Sequence, residues 1–221
     1  MLLLAAALAG AAGGFLVFRD HSAATPVTAV VTPAELAAAT DASAPPAPTI
    51  PATVPDISLP DLAGKPVALR STDGHPRLFN FWATWCEPCR REIPLLNALQ
   101  DAHAGDGLRI VGIAVDFRNA VQAYLKTSPL HYTSLVGEEA GLDAAQKFGM
   151  DLVLPFSVFA DGQNRIVAVK VGELHREEAD AILAQMRLLT AGKTTLGDAQ
   201  AVIASTMKEL ATSRAKQSAA K

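Results

Sequence analysis

In the middle of the chain, short apolar segments alternate with segments of amphipathic helical spacing. The apolar segments 77–83 and 108–116 are typical of strands that are buried on both faces. Each is followed by residues with the spacing of a helix, over 87–103 and 118–126. Strands that alternate with helices in this way predict an α/β domain with a central sheet and helices on both of its faces.

The next part of the pattern predicts an edge strand, a short helix, a hairpin and a closing helix. Residues 132–137 form the predicted edge strand and residues 141–149 the short helix. The apolar segments 156–161 and 165–173 are separated by turn residues and predict an antiparallel hairpin. Residues 176–189 place small and apolar side chains on one face, which predicts an amphipathic helix that closes the domain.

The N-terminal part of the chain differs in composition. Residues 1–21 begin with an apolar segment without a charged side chain before Arg19, and they predict either an uncleaved signal-anchor or a signal peptide. Residues 22–55 hold seven of the 14 prolines and predict an extended linker that cannot bury enough surface to fold. No lysine or arginine lies between Asp20 and Gly64, which favours export of the chain beyond the apolar segment. We therefore expect the folded domain to lie outside the cytoplasm.

The predicted folded domain covers residues 56–190 and begins with a β-hairpin over 56–69. Residues 191–221 are rich in basic side chains and predict a solvated tail that can form a helix over 197–213. This helix would carry an apolar stripe of Val202, Ile203, Met207 and Leu210. Docking of the stripe on the domain and transient helix formation are both open interpretations.

The composition limits the classes of function. The net charge is −3 and the pI is about 5.9, so no overall positive field would attract nucleic acid or an anionic membrane surface. The chain has two cysteines, which are too few for a scaffold held together by disulfides. The chemistry of this pair is therefore the strongest indication of function.

Cys86 and Cys89 are separated by two residues where a predicted strand meets a predicted helix. A zinc site needs about four ligands, whereas the five histidines are scattered singly. A structural disulfide across two residues would restrict the unfolded chain very little. A redox pair fits best, because the N-terminus of a helix favours the thiolate of Cys86 and leaves Cys89 close enough to form a disulfide with it.

Two residues between the cysteines are expected to tune the pair. Pro88 fits the first turn of a helix, where its missing N–H would have no partner in any case. Glu87 places a negative charge beside Cys86 and is expected to raise the pKa of that thiol. A thiolate that costs more free energy to form points to a reductant rather than to a strong oxidant.

The segment FWATWCEPCRREIP, residues 81–94, resembles the active-site motif of the TlpA-like and ResA-like membrane-anchored thiol-disulfide oxidoreductases of the thioredoxin superfamily. The resemblance extends over residues 56–190. It implies a thioredoxin-like fold, with a central mixed sheet flanked by helices on both faces, an N-terminal β-hairpin and a βα-type insertion. It also implies reduction of partner disulfides in the periplasm by a domain anchored in the inner membrane.

The same resemblance implies two kinds of protein partner. The disulfide substrate would be apocytochrome c or a copper-assembly protein, and the sequence does not choose between them. A membrane dithiol carrier would supply electrons, since the chain has no other thiol and suggests no cofactor or metal site.

The resemblance also assigns roles to individual residues. Pro155 matches a cis-proline that packs against the cysteines, and the backbone at the preceding Leu154 would pair with an extended substrate. Glu92 matches an acidic residue that takes and returns the proton of Cys89. Trp85 is expected to cover the disulfide and to contact the substrate.

The sequence also bears on which residue acts as the proton acceptor and on where the aromatic side chains lie. Asn80 stands where thioredoxin has a buried aspartate, and since an amide cannot shuttle a proton, Glu92 is the predicted base. The alternative for Glu92 is an exposed charge on a basic helix face beside Arg90 and Arg91. Trp82, both tyrosines and most phenylalanines are expected in the core, and Pro94 matches a kink in the helix.

Three further functions compete with the leading hypothesis. A copper-binding chaperone on the same fold would need a distal histidine, for which His131 and His175 are candidates. A peroxidase would carry proline and threonine where this chain has Phe79 and Ala83. A disulfide oxidase or isomerase also remains open, because the direction of exchange depends on redox potential and partner.

Overall fold

A computed structural model describes residues 49–70, 72–151 and 153–219 of the chain. The predicted signal segment 1–21 and most of the predicted linker 22–55 lie outside the described residues. Among the helices that are described, none has both the length and the hydrophobicity required to cross a bilayer.

In the part of the chain that the structure describes, seven strands form two sheets. A small antiparallel sheet consists of β1 (Ser58–Pro60) and β2 (Pro66–Ala68). The central sheet has the order β5-β4-β3-β6-β7, with β4 parallel to β3 and β5, and β6 antiparallel to β3 and β7. Its strands are β3 (Arg77–Trp82), β4 (Arg109–Ala114), β5 (Thr133–Val136), β6 (Phe156–Ala160) and β7 (Ile166–Val171). The predicted hairpins, the two buried strands and the edge strand are thereby confirmed.

Five helices accompany the sheets in the described residues. They are α1 (Glu87–His103), α2 (Arg118–Leu125), α3 (Glu138–Lys147), α4 (Arg176–Thr190) and α5 (Leu196–Ala219). Helix α3 begins before the predicted residue 141, because Glu138 and Glu139 supply negative charge to its first turn. It ends as predicted before Gly149, whose φ of 73° suits glycine.

Alternate residues of β3 pack into cores on opposite faces of the central sheet. Phe79 and Phe81 contact α3 and the small sheet, and Phe81 stacks on Phe156 with ring centroids 4.1 Å apart. Leu78 lies in a core with α1 and α4, and Trp82 in a core with α1 and α2. This alternation is the period-2 pattern of a strand, and it confirms the predicted mixed sheet flanked by helices on both faces.

The ordered structure begins before the predicted domain boundary at residue 56. Val54, expected in the linker, is buried in the core and donates its backbone N–H to the carbonyl of Asn164 at 2.8 Å. The N–H of Ile166 in turn donates to the carbonyl of Ala52 at 2.9 Å. These bonds satisfy backbone groups at the start of edge strand β7, which explains why the segment is held there.

The basic tail differs from the predicted solvated segment, because its helix packs against the domain. Thr195 initiates α5 by accepting a hydrogen bond from the N–H of Asp198 at 3.1 Å. Ile203 is buried in the core formed with α4, as the apolar stripe suggested, and Gln200 donates to the carbonyl of Ile166. Val202, also placed in that stripe, is 47% exposed, because it lies one residue off the buried face.

The packing of α5 predicts the effect of two neighbouring substitutions. Ile203→Ala should lower the free energy of unfolding by roughly 2–4 kcal/mol, because it leaves a cavity between α5 and α4. The matched change Val202→Ala removes only exposed surface and should alter it by less than about 0.5 kcal/mol. Urea unfolding at equilibrium measures both values, and equal effects would contradict the docking of α5.

Candidate active site

The candidate site lies at one end of the central sheet. Because β3 and β4 are parallel, their carboxyl ends meet there, and antiparallel β6 begins at the same end. Cys86 follows β3, Asp116 and Phe117 follow β4, and the Leu154–Pro155 segment precedes β6. The topology thus gathers residues that are far apart in the sequence.

Cys86 and Cys89 form a disulfide with an S–S distance of 2.01 Å. Cys86 is the residue that caps the N-terminus of α1, and its Sγ accepts a hydrogen bond from the N–H of Cys89 at 3.3 Å. Cys86 is 6% exposed, whereas Cys89 is fully buried. Cys86 is thus the more accessible of the two cysteines, and the helix N-terminus and this N–H favour negative charge on its sulfur. Pro88 occupies the first turn of α1, as expected.

Glu92 is a buried carboxylate on the inner side of α1. It is 2% exposed, which contradicts the alternative of a solvent-exposed charge beside Arg90 and Arg91. One oxygen accepts a hydrogen bond from Asn80 at 2.6 Å and the other from the N–H of Leu174 at 2.8 Å.

Burial decides the ionisation of Glu92. Removal from water raises its pKa from 4.5 to about 7, although the hydrogen bonds from the N–H of Leu174 and from Asn80 act in the opposite direction. Glu92 follows Cys89 by three residues on α1, a spacing that places two side chains on the same side of a helix. A carboxyl group that can hold or release a proton near neutral pH therefore lies beside the buried cysteine.

Asn80 has a role that the sequence did not reveal. Its amide nitrogen donates to Glu92 and also to Oγ of Ser157 at 3.1 Å, across the β3–β6 pair. The sequence indicated only that Asn80 cannot act as a base. A polar residue in the middle of the apolar segment RLFNFW was the available signal, because a buried amide needs partners.

The negative charge of Glu87 is shared with neighbouring residues. Glu87 forms an exposed ion pair with Arg91 at 3.0 Å, and Arg91 also binds Glu173 at 2.7 Å. The hydrogen bond to Glu173 is the main reason that the pKa of Arg91 is raised. The effect expected of Glu87 on the Cys86 thiol remains a prediction, and Arg91 would weaken it.

The segment before β6 packs on the cysteines. The Leu154–Pro155 peptide bond is cis, as the resemblance implied, and Pro155 is buried. Leu154 packs against the core cluster that contains both Cys86 and Cys89. The roles of Leu154 and Pro155 toward a substrate remain predictions.

The aromatic residues that the structure describes follow the predictions, and one phenylalanine near the site lies outside the core. Trp82 is buried in the core and Trp85 is 64% exposed beside Cys86. Tyr124 and Tyr132 are partly buried against the cores. Phe117, by contrast, is 60% exposed, because the loop after β4 turns it away from the sheet.

The residues that bear on the copper-chaperone and peroxidase alternatives make other contacts in the structure. His131 is hydrogen-bonded to Asp101 at 2.8 Å, and His175 caps the N-terminus of α4. Within residues 49–219, as far as they are described, no group of three or more potential ligands among His, Cys, Asp and Glu is placed to hold a metal. Phe79 and Ala83, which stand where a peroxidase would have proline and threonine, are both fully buried.

Known proteins resemble the chain in sequence and in fold. The AhpC/TSA family matches residues 50–172. The thioredoxin-like protein YneN of Bacillus subtilis is 33% identical over 57% of this chain and 74% of its own length. The thiol-disulfide oxidoreductase ResA of Bacillus cereus is 28% identical over 58% of this chain and 73% of its own length. A crystal structure of a thiol:disulfide interchange protein from Chlorobium tepidum, of the thioredoxin family, matches 62% of this chain and 97% of its own, with 30% identity and a TM-score of 0.54.

The raised pKa of Glu92 predicts how stability changes with pH. Between about pH 4.5 and 7 the folded chain keeps a proton on Glu92 that the unfolded chain has released, so raising the pH over this window weakens the fold. The loss should be on the order of 3 kcal/mol. Glu92→Gln removes the titration, so the variant should gain stability relative to the parent between pH 5 and pH 7.5. Urea unfolding of both proteins checks this, and a difference that does not change with pH would contradict it.

Proposed function

The chain belongs to the AhpC/TSA family and is a thioredoxin-like thiol-disulfide oxidoreductase, and we propose that it reduces disulfides in partner proteins outside the cytoplasm. The observation that carries the proposal is the asymmetry of its cysteine pair. Cys86 caps a helix and is 6% exposed, whereas Cys89 is fully buried three residues before a carboxyl group with a pKa of about 7.

The first step needs Cys86 as a thiolate. In the reduced protein this thiolate attacks one sulfur of the partner disulfide and forms a mixed disulfide, while the second partner sulfur leaves as a thiolate. The N-terminus of α1 and the N–H of Cys89 stabilise the attacking charge. Leu154 packs against the cluster that contains the pair, and its backbone would align the partner chain.

The second step needs Cys89 as a thiolate. Glu92 in its carboxylate form takes the proton of Cys89, which then attacks Sγ of Cys86 and releases the remaining partner thiol. The partner disulfide has then gained two electrons, and the Cys86–Cys89 disulfide has formed. Asn80 and the N–H of Leu174 hold the Glu92 carboxylate in place during the transfer.

The oxidised pair requires an external reductant. The chain has no third thiol, so a dithiol on another protein must return the electrons. We assign this role to a membrane dithiol carrier, and we assign the substrate role to apocytochrome c or a copper-assembly protein. The apolar segment within residues 1–21 supports a membrane-anchored domain in the periplasm.

One observation favours the alternative of an oxidase or isomerase. The hydrogen bond from Cys89 N–H to Cys86 Sγ favours the thiolate, and a stabilised thiolate makes the disulfide a better oxidant. The copper-chaperone alternative has weaker support, because His131 is already bound to Asp101 and is half-exposed.

The asymmetry of the two sulfurs predicts a trapping experiment. With Cys89→Ser, the mixed disulfide on Cys86 cannot be resolved, so partner proteins should remain covalently bound in the native envelope. The matched variant Cys86→Ser keeps only the buried sulfur and should trap far less. Non-reducing gels followed by mass spectrometry identify the trapped proteins. Equal trapping by the two variants would contradict the assignment of Cys86 as the nucleophile.

The proposed base predicts a pH-dependent rate. Resolution of a mixed disulfide should accelerate through about pH 7 as Glu92 ionises, and Glu92→Gln should slow it by about a hundredfold at pH 7.5 and remove the inflection. Glu173→Gln makes the same chemical change at a carboxylate bound to Arg91 and serves as the control. Stopped-flow fluorescence follows the reaction. Equal rates in the two variants would exclude Glu92 as the base.

A further inference from the structure

Two consecutive backbone N–H groups in the connection between β7 and α4, residues 172–175, bind two different buried carboxyl groups. The N–H of Leu174 donates to Oε2 of Glu92 at 2.8 Å. The N–H of His175 donates to Oε2 of Glu178 at 3.0 Å. Both glutamates are 2% exposed. The position of this connection is therefore tied both to the proposed base and to Glu178.

The second oxygen of Glu178 is bound by the C-terminal helix. Arg214 of α5 forms an ion pair with Oε1, and Nζ of Lys170 on β7 lies 3.7 Å from the same oxygen. A buried carboxylate needs such partners, because its removal from water costs free energy that a partner must offset. Arg214 is itself placed by the packing of α5, whose Ile203 is buried in the core formed with α4. A series of contacts thus runs from α5 through Glu178 to the connection that contains Leu174.

The hydrogen bond from Leu174 acts directly on the ionisation of Glu92. Burial is the main reason that the pKa of Glu92 is raised, and the bond from the N–H of Leu174 is the strongest of the effects that lower it. A backbone N–H stabilises the ionised carboxylate, which is the form that accepts a proton. If this bond is weakened, more of the carboxyl group therefore stays protonated at neutral pH.

Other charged or titratable groups also act on Glu92. Lys170 on β7 lowers its pKa, and Glu173 in the connection before α4 raises it. Tyr132, before β5, interacts with Glu92, and burial raises the pKa of this tyrosine, so it is neutral near pH 7. On α1, Cys89 does not titrate in the disulfide form. A substitution on α5 leaves each of these groups in the chain, so it isolates the contribution of that helix.

We propose that Arg214 is a positioning residue for the proposed base, Glu92. Through Glu178, α5 holds the N–H of Leu174 against the carboxylate of that base. The inference rests on the proposed function, because the group that is positioned is the base of the second exchange step. Helix α5 lies outside residues 50–172, the part of the chain that matches the AhpC/TSA family. The support for Glu92 thus comes in part from outside the matched segment.

The amide proton of Leu174 reports the ionisation of Glu92, because the two groups share a hydrogen bond. Proton–nitrogen NMR of the full-length protein in its disulfide form follows this resonance as the pH is raised. In Arg214→Gln the midpoint should lie about one pH unit above that of the parent, because a weaker hydrogen bond favours the protonated carboxyl group. Arg214→Lys keeps a cation beside Glu178 and should stay close to the parent. Lys216→Gln, which removes a charge at an exposed position of α5, is the matched control and should keep the parent midpoint.

The rate of exchange connects this midpoint to the reaction. In Arg214→Gln, resolution of a mixed disulfide should be about fivefold slower at pH 7, because a smaller fraction of Glu92 is ionised there. At pH 9 the rate should equal that of the parent, because Glu92 is ionised in both proteins. Equal slowing at the two pH values would contradict the positioning role.

The two measurements separate the inference from the proposed function. An unchanged Leu174 midpoint in Arg214→Gln, or the same rise in Lys216→Gln, would overturn the positioning role even if the parent shows a rate inflection near pH 7. If the midpoint rises in Arg214→Gln but the parent shows no such inflection, the hold of α5 on the carboxylate stands and the assignment of Glu92 as the base fails.

Discussion

The proposed chemistry of this protein depends on one carboxyl group that is held out of water. Glu92 lies under α1, and its two oxygens are bound by Asn80 and by the N–H of Leu174. Desolvation outweighs these two hydrogen bonds and raises its pKa to about 7. A glutamate on the surface of the same helix would be ionised throughout the neutral range and would return a proton poorly. Burial thus lets Glu92 exchange a proton near neutral pH, as its proposed role toward Cys89 requires.

The fold supplies the surroundings that this carboxyl group requires. Strand β3 carries Asn80, which binds the carboxyl group. Asn80 lies opposite Ser157 in the pairing of β3 with β6, so Ser157 is the second partner of the amide. Helix α1 begins at the end of β3, so one short connection places Cys86 at the cap and Cys89 and Glu92 on the buried side. The same sheet edge exposes apolar residues around the accessible sulfur. Glu92 is thus buried under α1, whereas Trp85 beside Cys86 is 64% exposed.

Local patterns in the sequence predicted the elements, whereas contacts between distant segments were harder to foresee. The bounds of α1 and β3 followed from clear periodicity, and the cis bond before Pro155 followed from the family resemblance. The hydrogen bonds of Asn80 depend on strand pairing, which no local pattern specifies. Most phenylalanines were expected in the core, and the sequence did not single out Phe117, whose position in a loop exposes it. Val54 and Ile203 became ordered through contacts with β7 and α4 that composition alone could not show.

The most direct test is a titration of the Glu92 carboxyl group itself. Carbon-13 NMR of the side-chain carboxyl, with Glu92→Gln used to assign the resonance, reports its ionisation in the disulfide form of the protein. Burial of the group predicts a midpoint close to pH 7. A midpoint near 4.5, the ordinary value of a solvated glutamate, would contradict the claim that burial prepares this group for proton transfer.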